Sequence, residues 1–223
     1  MVLSHQGEHP ANQSFLIGIG GGTGSGKSYV TECIVSHYGR EHVAVVDYDS
    51  YYRDESHLTF EARSGQNFDH PKAIDHDLLY SQMRSLAAGK SIQKPVYDFT
   101  QHLHTSSFTT VCPAPLIILE GIFALWDQRI RALMQCKVFV HADDDLRFIR
   151  RLKRDVVERG RSTESVISQY LESVRPMHLA HVEPTRHFAD LVVENSAHLD
   201  VKPILDAINT RAAHLFRPLP SKI

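Results

Sequence analysis

A glycine-rich octapeptide carries the clearest chemical signal in this sequence. It follows the pattern G-x-x-x-x-G-K-[ST] over Gly21, Gly22, Thr23, Gly24, Ser25, Gly26, Lys27 and Ser28. Backbone N–H groups of such a loop converge on phosphate oxygens, the lysine can reach the β- and γ-phosphates, and the terminal hydroxyl can ligate Mg²⁺. No register of these glycines gives G-x-G-x-x-G, which argues against a dinucleotide site. The octapeptide therefore predicts a nucleoside-triphosphate site.

Two carboxylates follow apolar runs that are typical of buried strands. Glu120 ends the run 116–119, and Asp49 comes shortly after the run 42–46. The carboxyl ends of parallel strands meet at one edge of a sheet, so both acids are expected within reach of Ser28. Glu120 is in the position of a carboxylate that holds Mg²⁺ directly or through water, and Asp49 could accept a proton from an acceptor hydroxyl or orient it. The simpler alternatives are a helix cap for Glu120 and a turn or cap residue for Asp49.

Basic residues are concentrated between positions 143 and 161. They are Arg147, Arg150, Arg151, Lys153, Arg154, Arg159 and Arg161, interleaved with acids. Taken alone, such a run indicates a solvated helix face. Beside a phosphate loop it favours another interpretation, because arginine forks suit phosphate oxygens and phosphoryl transfer needs a site that excludes water. We expect residues about 143–175 to form a lid that closes over the triphosphate.

The elements that must position these groups alternate between strand and helix. Apolar runs predict strands over 15–19, 42–46, 116–119 and 137–140; helices are expected from Tyr29 and over 73–88, and a β-hairpin over about 94–112. This order predicts an α/β fold: a parallel sheet flanked by helices, of the P-loop NTPase type, with an inserted hairpin and a helical lid. Residues 1–13 are expected to be a flexible segment, and 14–223 a single domain.

Composition narrows the classes of function. The chain has 223 residues and a formal net charge of −2, which gives no bulk attraction to nucleic acid or to an anionic membrane. Its three cysteines are far apart and odd in number, which disfavours a disulfide framework and indicates a reducing compartment. The first twelve residues lack the apolar core of a targeting signal, and nowhere do eighteen apolar residues run together. A cytoplasmic, soluble protein is expected.

Histidines raise one metal hypothesis. There are fifteen, and His178, His181 and Glu183 could line one face of a helix. There is no H-E-x-x-H motif, however, so scattered exposed histidines are favoured over a zinc site.

The ordered motifs of this chain resemble those of the uridine/cytidine kinase family of P-loop kinases over nearly its whole length after residue 14. Besides the loop at 21–28, they are Asp-Ser-Tyr-Tyr-Arg at 49–53, Asn-Phe-Asp-His-Pro at 67–71, Tyr-Asp-Phe at 97–99, Glu-Gly-Ile at 120–122, Arg-Arg-Leu-Lys-Arg-Asp and Glu-Arg-Gly-Arg within 150–161, Gln-Tyr at 169–170, Val-Arg-Pro-Met at 174–177, Val-Glu-Pro at 182–184 and Ala-Asp at 189–190.

The resemblance implies a reaction and a set of roles. It implies ATP- or GTP-dependent transfer to the 5′-hydroxyl of uridine or cytidine, Mg²⁺, pyrimidine salvage and usually a homotetramer. By matching position, the catalytic base would be Asp49, and the metal would be held by Ser28, Asp49 and Glu120. Arg154 would lie near the phosphates. The nucleoside would meet Asp69 at its ribose hydroxyls, Tyr97 and His102 at its base, and Arg151, Arg161 and Gln169 around the pocket.

Two departures from the family pattern and several alternatives bear on specificity. His104 stands where family members usually carry arginine, and 194–198 replaces a Pro-Arg-Gly-type turn beside the purine of the donor.

A phosphoribulokinase-like or pantothenate-kinase-like enzyme would share the loop and the lid without needing the hairpin residues Tyr97 and His102. A guanine-reading nucleotide switch should show Asn-Lys-x-Asp, which is absent from the sequence. A nucleic-acid kinase would need a broader basic surface.

Overall fold

The structure is a computed structural model that describes residues 14–98 and 100–216. In chain order its strands are β1 (Phe15–Gly20), β2 (Val43–Asp47), β3 (Ile92–Asp98), β4 (Leu103–Val111), β5 (Leu116–Glu120), β6 (Cys136–His141) and β7 (Leu191–Glu194). Five of them form a parallel sheet in the order β2-β5-β1-β6-β7, and β3 and β4 form a separate antiparallel hairpin. The predicted α/β class, with its parallel sheet and inserted hairpin, is confirmed.

The helices are α1 (Lys27–Tyr38), α2 (Phe60–Ser64), α3 (His76–Ala87), α4 (Gln128–Arg131), α5 (Asp144–Val157), α6 (Thr163–Gln169), α7 (Arg175–Met177) and α8 (Lys202–Ala212). Side chains alternate along a strand, so β1 sends Leu16 into one core and Ile17 into the other. Helix α3 closes the first core, and α1 and α8 close the second. This two-sided cover explains why the central strands are continuously apolar.

The chain is helical without a break from Thr163 to Phe188, and it contains two wide turns. The N–H of Arg175 bonds to the Tyr170 carbonyl, and the N–H of Glu183 bonds to the His178 carbonyl, five residues back in both cases. The residue whose N–H closes each wide turn directly precedes a proline, Pro176 or Pro184. A proline has no N–H and crowds the carbonyl four residues back, and a widened turn relieves that crowding.

Several element boundaries differ from the sequence prediction. Helix α1 begins at Lys27 rather than Tyr29, because Gly26 takes the N-cap position with φ +100°. Helix α3 begins at His76, because the Asp75 side chain caps the N–H of Leu78 and residues Pro71–Ala73 form a separate 3₁₀ turn. Phe99 and the predicted flexible segment 1–13 lie outside the described residues. Within 14–98 and 100–216, no helix combines the length and apolarity needed to cross a membrane.

Candidate active site

The phosphate loop leaves the central strand β1 and runs directly into α1. At Gly24, φ is +74°, and an added Cβ would lie 2.3 Å from the carbonyl oxygen of Arg147. At Gly26, φ is +100°, and an added Cβ would lie 2.2 Å from Nδ2 of Asn195. Both positions require glycine, because an L side chain is strained at these angles and has no space. The loop is therefore packed between α5 and the segment that follows β7.

Lys27 lies against the loop that precedes it. Its Nζ donates a hydrogen bond of 2.9 Å to the Gly22 carbonyl. Enclosure by protein atoms lowers the pKa of this ammonium from 10.5 to about 8, although the nearby Glu120 and Asp49 carboxylates act in the opposite direction. The Lys27 ammonium can therefore neutralise part of the charge of a bound triphosphate, and the triphosphate in turn stabilises the charged form of the lysine.

Glu120 is fixed by two hydroxyl groups of α1. Ser28 Oγ donates to its Oε1 over 3.2 Å, and Thr31 Oγ1 donates to its Oε2 over 2.8 Å. The register of the sheet causes this meeting, since Ile19 of β1 lies beside Glu120 of β5. Thr31 was not among the predicted site residues, although its position one helical turn after Ser28 was a signal that could have identified it.

Asp49 lies on the 3₁₀ turn Tyr48–Tyr51 that follows β2. Burial raises the pKa of its carboxyl above the ordinary value; Lys27 opposes the rise, and Asp47 and Glu120 add to it. Its charge is thus coupled to the loop lysine and to the carboxylate at the end of β5. The coupling to Glu120 is consistent with the prediction that Asp49 lies near that acid. A carboxyl perturbed in this way suits an acid–base role.

These oxygens suit the metal that the family resemblance implies. Hydroxyl and carboxylate groups are hard donors that Mg²⁺ prefers, and Mg²⁺ in phosphotransferases also keeps waters and phosphate oxygens as ligands. Ser28, Asp49 and Glu120 would hold such an ion beside Lys27. Phosphate oxygens and water would supply the remaining ligands.

The arginine-rich segment is organised by one buried acid, Asp155, whose side chain is 0% exposed. Four guanidinium groups surround it, at 2.8 Å for Arg154, 3.4 Å for Arg159, 3.5 Å for Arg151 and 3.8 Å for Arg161. The solvated-face alternative fails for part of α5, because Arg147 and Arg151 are buried as well. The sequence did not single out Asp155 from the other acids of this run, because four basic residues close to an acid in sequence look like ordinary helical charge alternation.

Predicted nucleoside-pocket residues meet around the amide of Gln169. Its Oε1 accepts hydrogen bonds from Arg151 (2.9 Å) and Arg161 (2.6 Å). Arg151 also donates to Oγ1 of Thr23 in the phosphate loop over 3.3 Å. Asp69 accepts a 2.8 Å hydrogen bond from Ser173, and burial raises the pKa of its carboxyl while Arg151 and Arg161 oppose the rise.

Aromatic side chains connect the hairpin with the segment that carries Asp69. Tyr97 packs against Tyr52 at 5.0 Å between ring centroids, Tyr52 against Phe68 at 5.4 Å, and Phe68 stacks on His102 at 4.8 Å. Burial, with Arg63 next, lowers the pKa of the His102 imidazole. His104, the departure noted in the hairpin, contacts the Tyr52 carbonyl. Tyr97 and His102 therefore belong to one aromatic row together with Tyr52 and Phe68.

A phosphate loop after the central strand of a parallel sheet, a carboxylate at the end of the adjacent strand and an arginine-rich helix over the loop define a P-loop kinase. The protein-family model described as "Phosphoribulokinase / Uridine kinase family" matches residues 16–202 of the sequence. The chain therefore belongs to this family.

Relatives agree with this assignment, and a solved structure shares the fold. A protein of Deinococcus deserti named uridine kinase is 49% identical over 197 residues, which cover 88% of this chain and 94% of that protein. A uridine kinase of Streptococcus gordonii is 45% identical over 206 residues, covering 92% and 97% of the two chains. The phosphoribulokinase of Rhodobacter spheroides has the same fold, with a TM-score of 0.64 at 15% identity, over 85% of this chain and 73% of that one.

Proposed function

We propose that this protein is a uridine kinase that transfers the γ-phosphoryl group of ATP or GTP to the 5′-hydroxyl of uridine or cytidine, giving UMP or CMP. One observation carries the proposal: Arg151 reaches the phosphate loop at Thr23 with one nitrogen and the Gln169 amide with another. The donor side and the residues expected to surround a nucleoside are thus joined through a single side chain. Relatives named uridine kinase at 45–49% identity support the same substrate class.

In the proposed reaction the chain positions both substrates. Lys27 and the loop N–H groups hold the β- and γ-phosphates of the donor, and Arg154 adds charge from α5. Asp49 orients the 5′-hydroxyl and takes its proton, while the new O–P bond forms and the bond from the γ-phosphorus to the bridging oxygen of the donor breaks. Ser28, Asp49 and Glu120 would hold Mg²⁺, which would supply positive charge against the charge that develops on the phosphates.

Acceptor selection is assigned to Asp69, Tyr97 and His102. The Asp69 carboxylate would accept hydrogen bonds from the 2′- and 3′-hydroxyls of the ribose. The lowered pKa of His102 keeps its ring neutral at neutral pH, with one donor and one acceptor nitrogen. Such a ring can meet either the O4 of uridine or the 4-amino group of cytidine. Purine nucleosides would be excluded by size.

The proposal also covers the pathway, the cellular location, the assembly and the partners of the enzyme. A nucleoside monophosphate made from a free nucleoside is a salvage product, so we assign the enzyme to pyrimidine salvage in the cytoplasm. A homotetramer is proposed from the family resemblance. Its partners would be small-molecule nucleosides and nucleotides, with neither nucleic acid nor membrane.

A coupled assay tests this function. Turnover is compared for uridine, cytidine, deoxyuridine, adenosine, pantothenate and ribulose 5-phosphate, each with ATP or GTP and Mg²⁺. We expect both pyrimidine ribosides to be phosphorylated, and deoxyuridine to be roughly 5- to 100-fold poorer in kcat/KM because it leaves the Asp69 carboxylate underpaired. Adenosine equal to uridine, or activity confined to pantothenate or ribulose 5-phosphate, would overturn the proposal and leave the fold assignment intact.

A further inference from the structure

Two side chains outside the octapeptide hold consecutive carbonyl groups of the phosphate loop. Asn195 Nδ2 donates to the Ser25 carbonyl over 2.7 Å, and Arg150 Nη1 approaches the Gly24 carbonyl at 3.5 Å. Arg150 also donates from Nη2 to the backbone carbonyl of Asn195 over 2.9 Å. The two residues therefore contact each other as well as the loop, although 45 positions separate them in sequence.

These contacts fix the direction of a peptide group that matters for phosphate binding. In a planar trans peptide, the carbonyl of one residue and the N–H of the next point in opposite directions. When Asn195 holds the Ser25 carbonyl on its own side, the Gly26 N–H turns to the other side. A phosphate-binding loop presents its N–H groups on that side. Asn195 thus sets the direction of a donor at the start of α1.

The fit at this point is close enough to be specific. A Cβ on Gly26 would approach Asn195 Nδ2 to 2.2 Å, so the carboxamide is seated directly against the loop. The backbone of Asn195 is itself placed by the sheet, because its N–H donates to the carbonyl of His141 at the end of β6 over 2.8 Å. Arg150 adds a link to α5, the helix expected to move as part of the lid.

We propose that Asn195 and Arg150 are positioning residues that preset the phosphate loop for the donor and couple it to α5. We call the pair the carbonyl clamp. The proposal rests on the proposed function only in taking ATP as the donor. It assigns a role to the segment 194–198, where the chain departs from the family pattern, and to an arginine that the site assignment had left without one.

The clamp is tested by ATP binding and by exchange of the loop amides, neither of which requires an acceptor. Asn195→Ala should raise the Kd for ATP with Mg²⁺, measured by calorimetry, about 3- to 10-fold, the range of one lost hydrogen bond. Amides of residues 21–28 should exchange faster in the nucleotide-free variant. Asn195→Asp keeps the size, loses the N–H donor and adds a charge near phosphate, so it should weaken ATP binding more than Asn195→Ala does.

Arg150→Ala should act in the same direction, and the double variant should weaken ATP binding less than the product of the two single effects, because the pair acts as a unit. The matched control is Asn209→Ala on α8, which removes a carboxamide whose oxygen accepts a hydrogen bond from the Tyr38 hydroxyl of α1. It should change neither measurement, and the KM for uridine should stay within about two-fold in every variant.

Each result is decisive for one proposal or the other. Unchanged ATP affinity and unchanged loop exchange in Asn195→Ala and Asn195→Asp would overturn the clamp. Full additivity of the two alanine variants would overturn the coupling to α5. A wild-type protein that binds ATP with this dependence on Asn195 and fails to phosphorylate pyrimidine ribosides would refute the proposed function and leave the clamp standing.

Discussion

The Ser28 hydroxyl donates a hydrogen bond to Oε1 of Glu120 over 3.2 Å, although the two residues are 92 positions apart. The parallel pairing of β1 with β5 brings the loop and the acid to the same level of the sheet. Thr31 holds the second carboxylate oxygen, so the acid is oriented at both ends. This arrangement places a negative charge beside Lys27 and Asp49, and that charge acts to raise the pKa of both groups.

Asp49→Asn should reduce kcat by about 10²- to 10⁴-fold, the usual contribution of a positioned general base. Binding of ATP should persist, because Lys27 and the loop are unchanged. In the wild type, the raised pKa of the Asp49 carboxyl should make kcat/KM fall with acid at a pH above the ordinary aspartate value of about 4. The control is Asp206→Asn on the exposed face of α8. Near-normal turnover of Asp49→Asn would contradict the assignment.

Lys27 should link ATP binding to proton uptake at alkaline pH. Its ammonium has a pKa of about 8 in the free protein, and bound phosphates will raise that value. Below about pH 8 the lysine is already charged, so it adds no pH dependence. Above that pH the complex must take up a proton, and the Kd for ATP should rise with pH.

Calorimetry at pH 8.5 in two buffers of different ionisation enthalpy measures this uptake. Lys27→Arg keeps the charge and does not titrate, so it should abolish the lysine's share of the proton uptake. Equal apparent enthalpies in the two wild-type titrations would refute the linkage.

Asp155→Asn should destabilise the protein by roughly 3 kcal/mol, because it leaves four guanidinium groups around a buried site without their counter-charge. Thermal or urea unfolding measures the loss. Glu158→Gln, on the same segment and exposed, should change stability by less than about 0.5 kcal/mol. If both variants unfold at the same midpoint, Asp155 is not the organising charge of the segment.

If residues 143–175 form a lid, the protection of their amides from hydrogen exchange should depend on both substrates. Amides of residues 143–175 should exchange more slowly with uridine plus a non-hydrolysable ATP analogue than with either ligand alone. Arg154→Ala should lower kcat, whereas Lys153→Ala, on the neighbouring exposed position, should leave it unchanged. Identical protection in all ligand states would refute lid closure, and equal kcat values for the two variants would contradict the role assigned to Arg154.

Much of the fold could be predicted because the local pattern of apolar residues matches the burial of each strand and helix in the structure. The run at 116–119 has no polar interruption, and a strand buried on both faces requires that composition. The boundaries at α1 and α3 were harder, because a left-handed glycine cap and an aspartate cap each moved the first helical residue. Such shifts depend on single backbone angles, and composition does not reveal them.

The site followed the same division. Residue type and spacing within short segments were enough to predict the phosphate loop with its lysine and hydroxyl, and to predict acids at or just after the ends of β2 and β5. Tertiary structure alone decided that Thr31 holds Glu120, that Asp155 gathers four arginines and that Asn195 meets Ser25. Those contacts join groups whose mutual distance is set by strand register and helix packing, and neither quantity is encoded in the local pattern of any one segment.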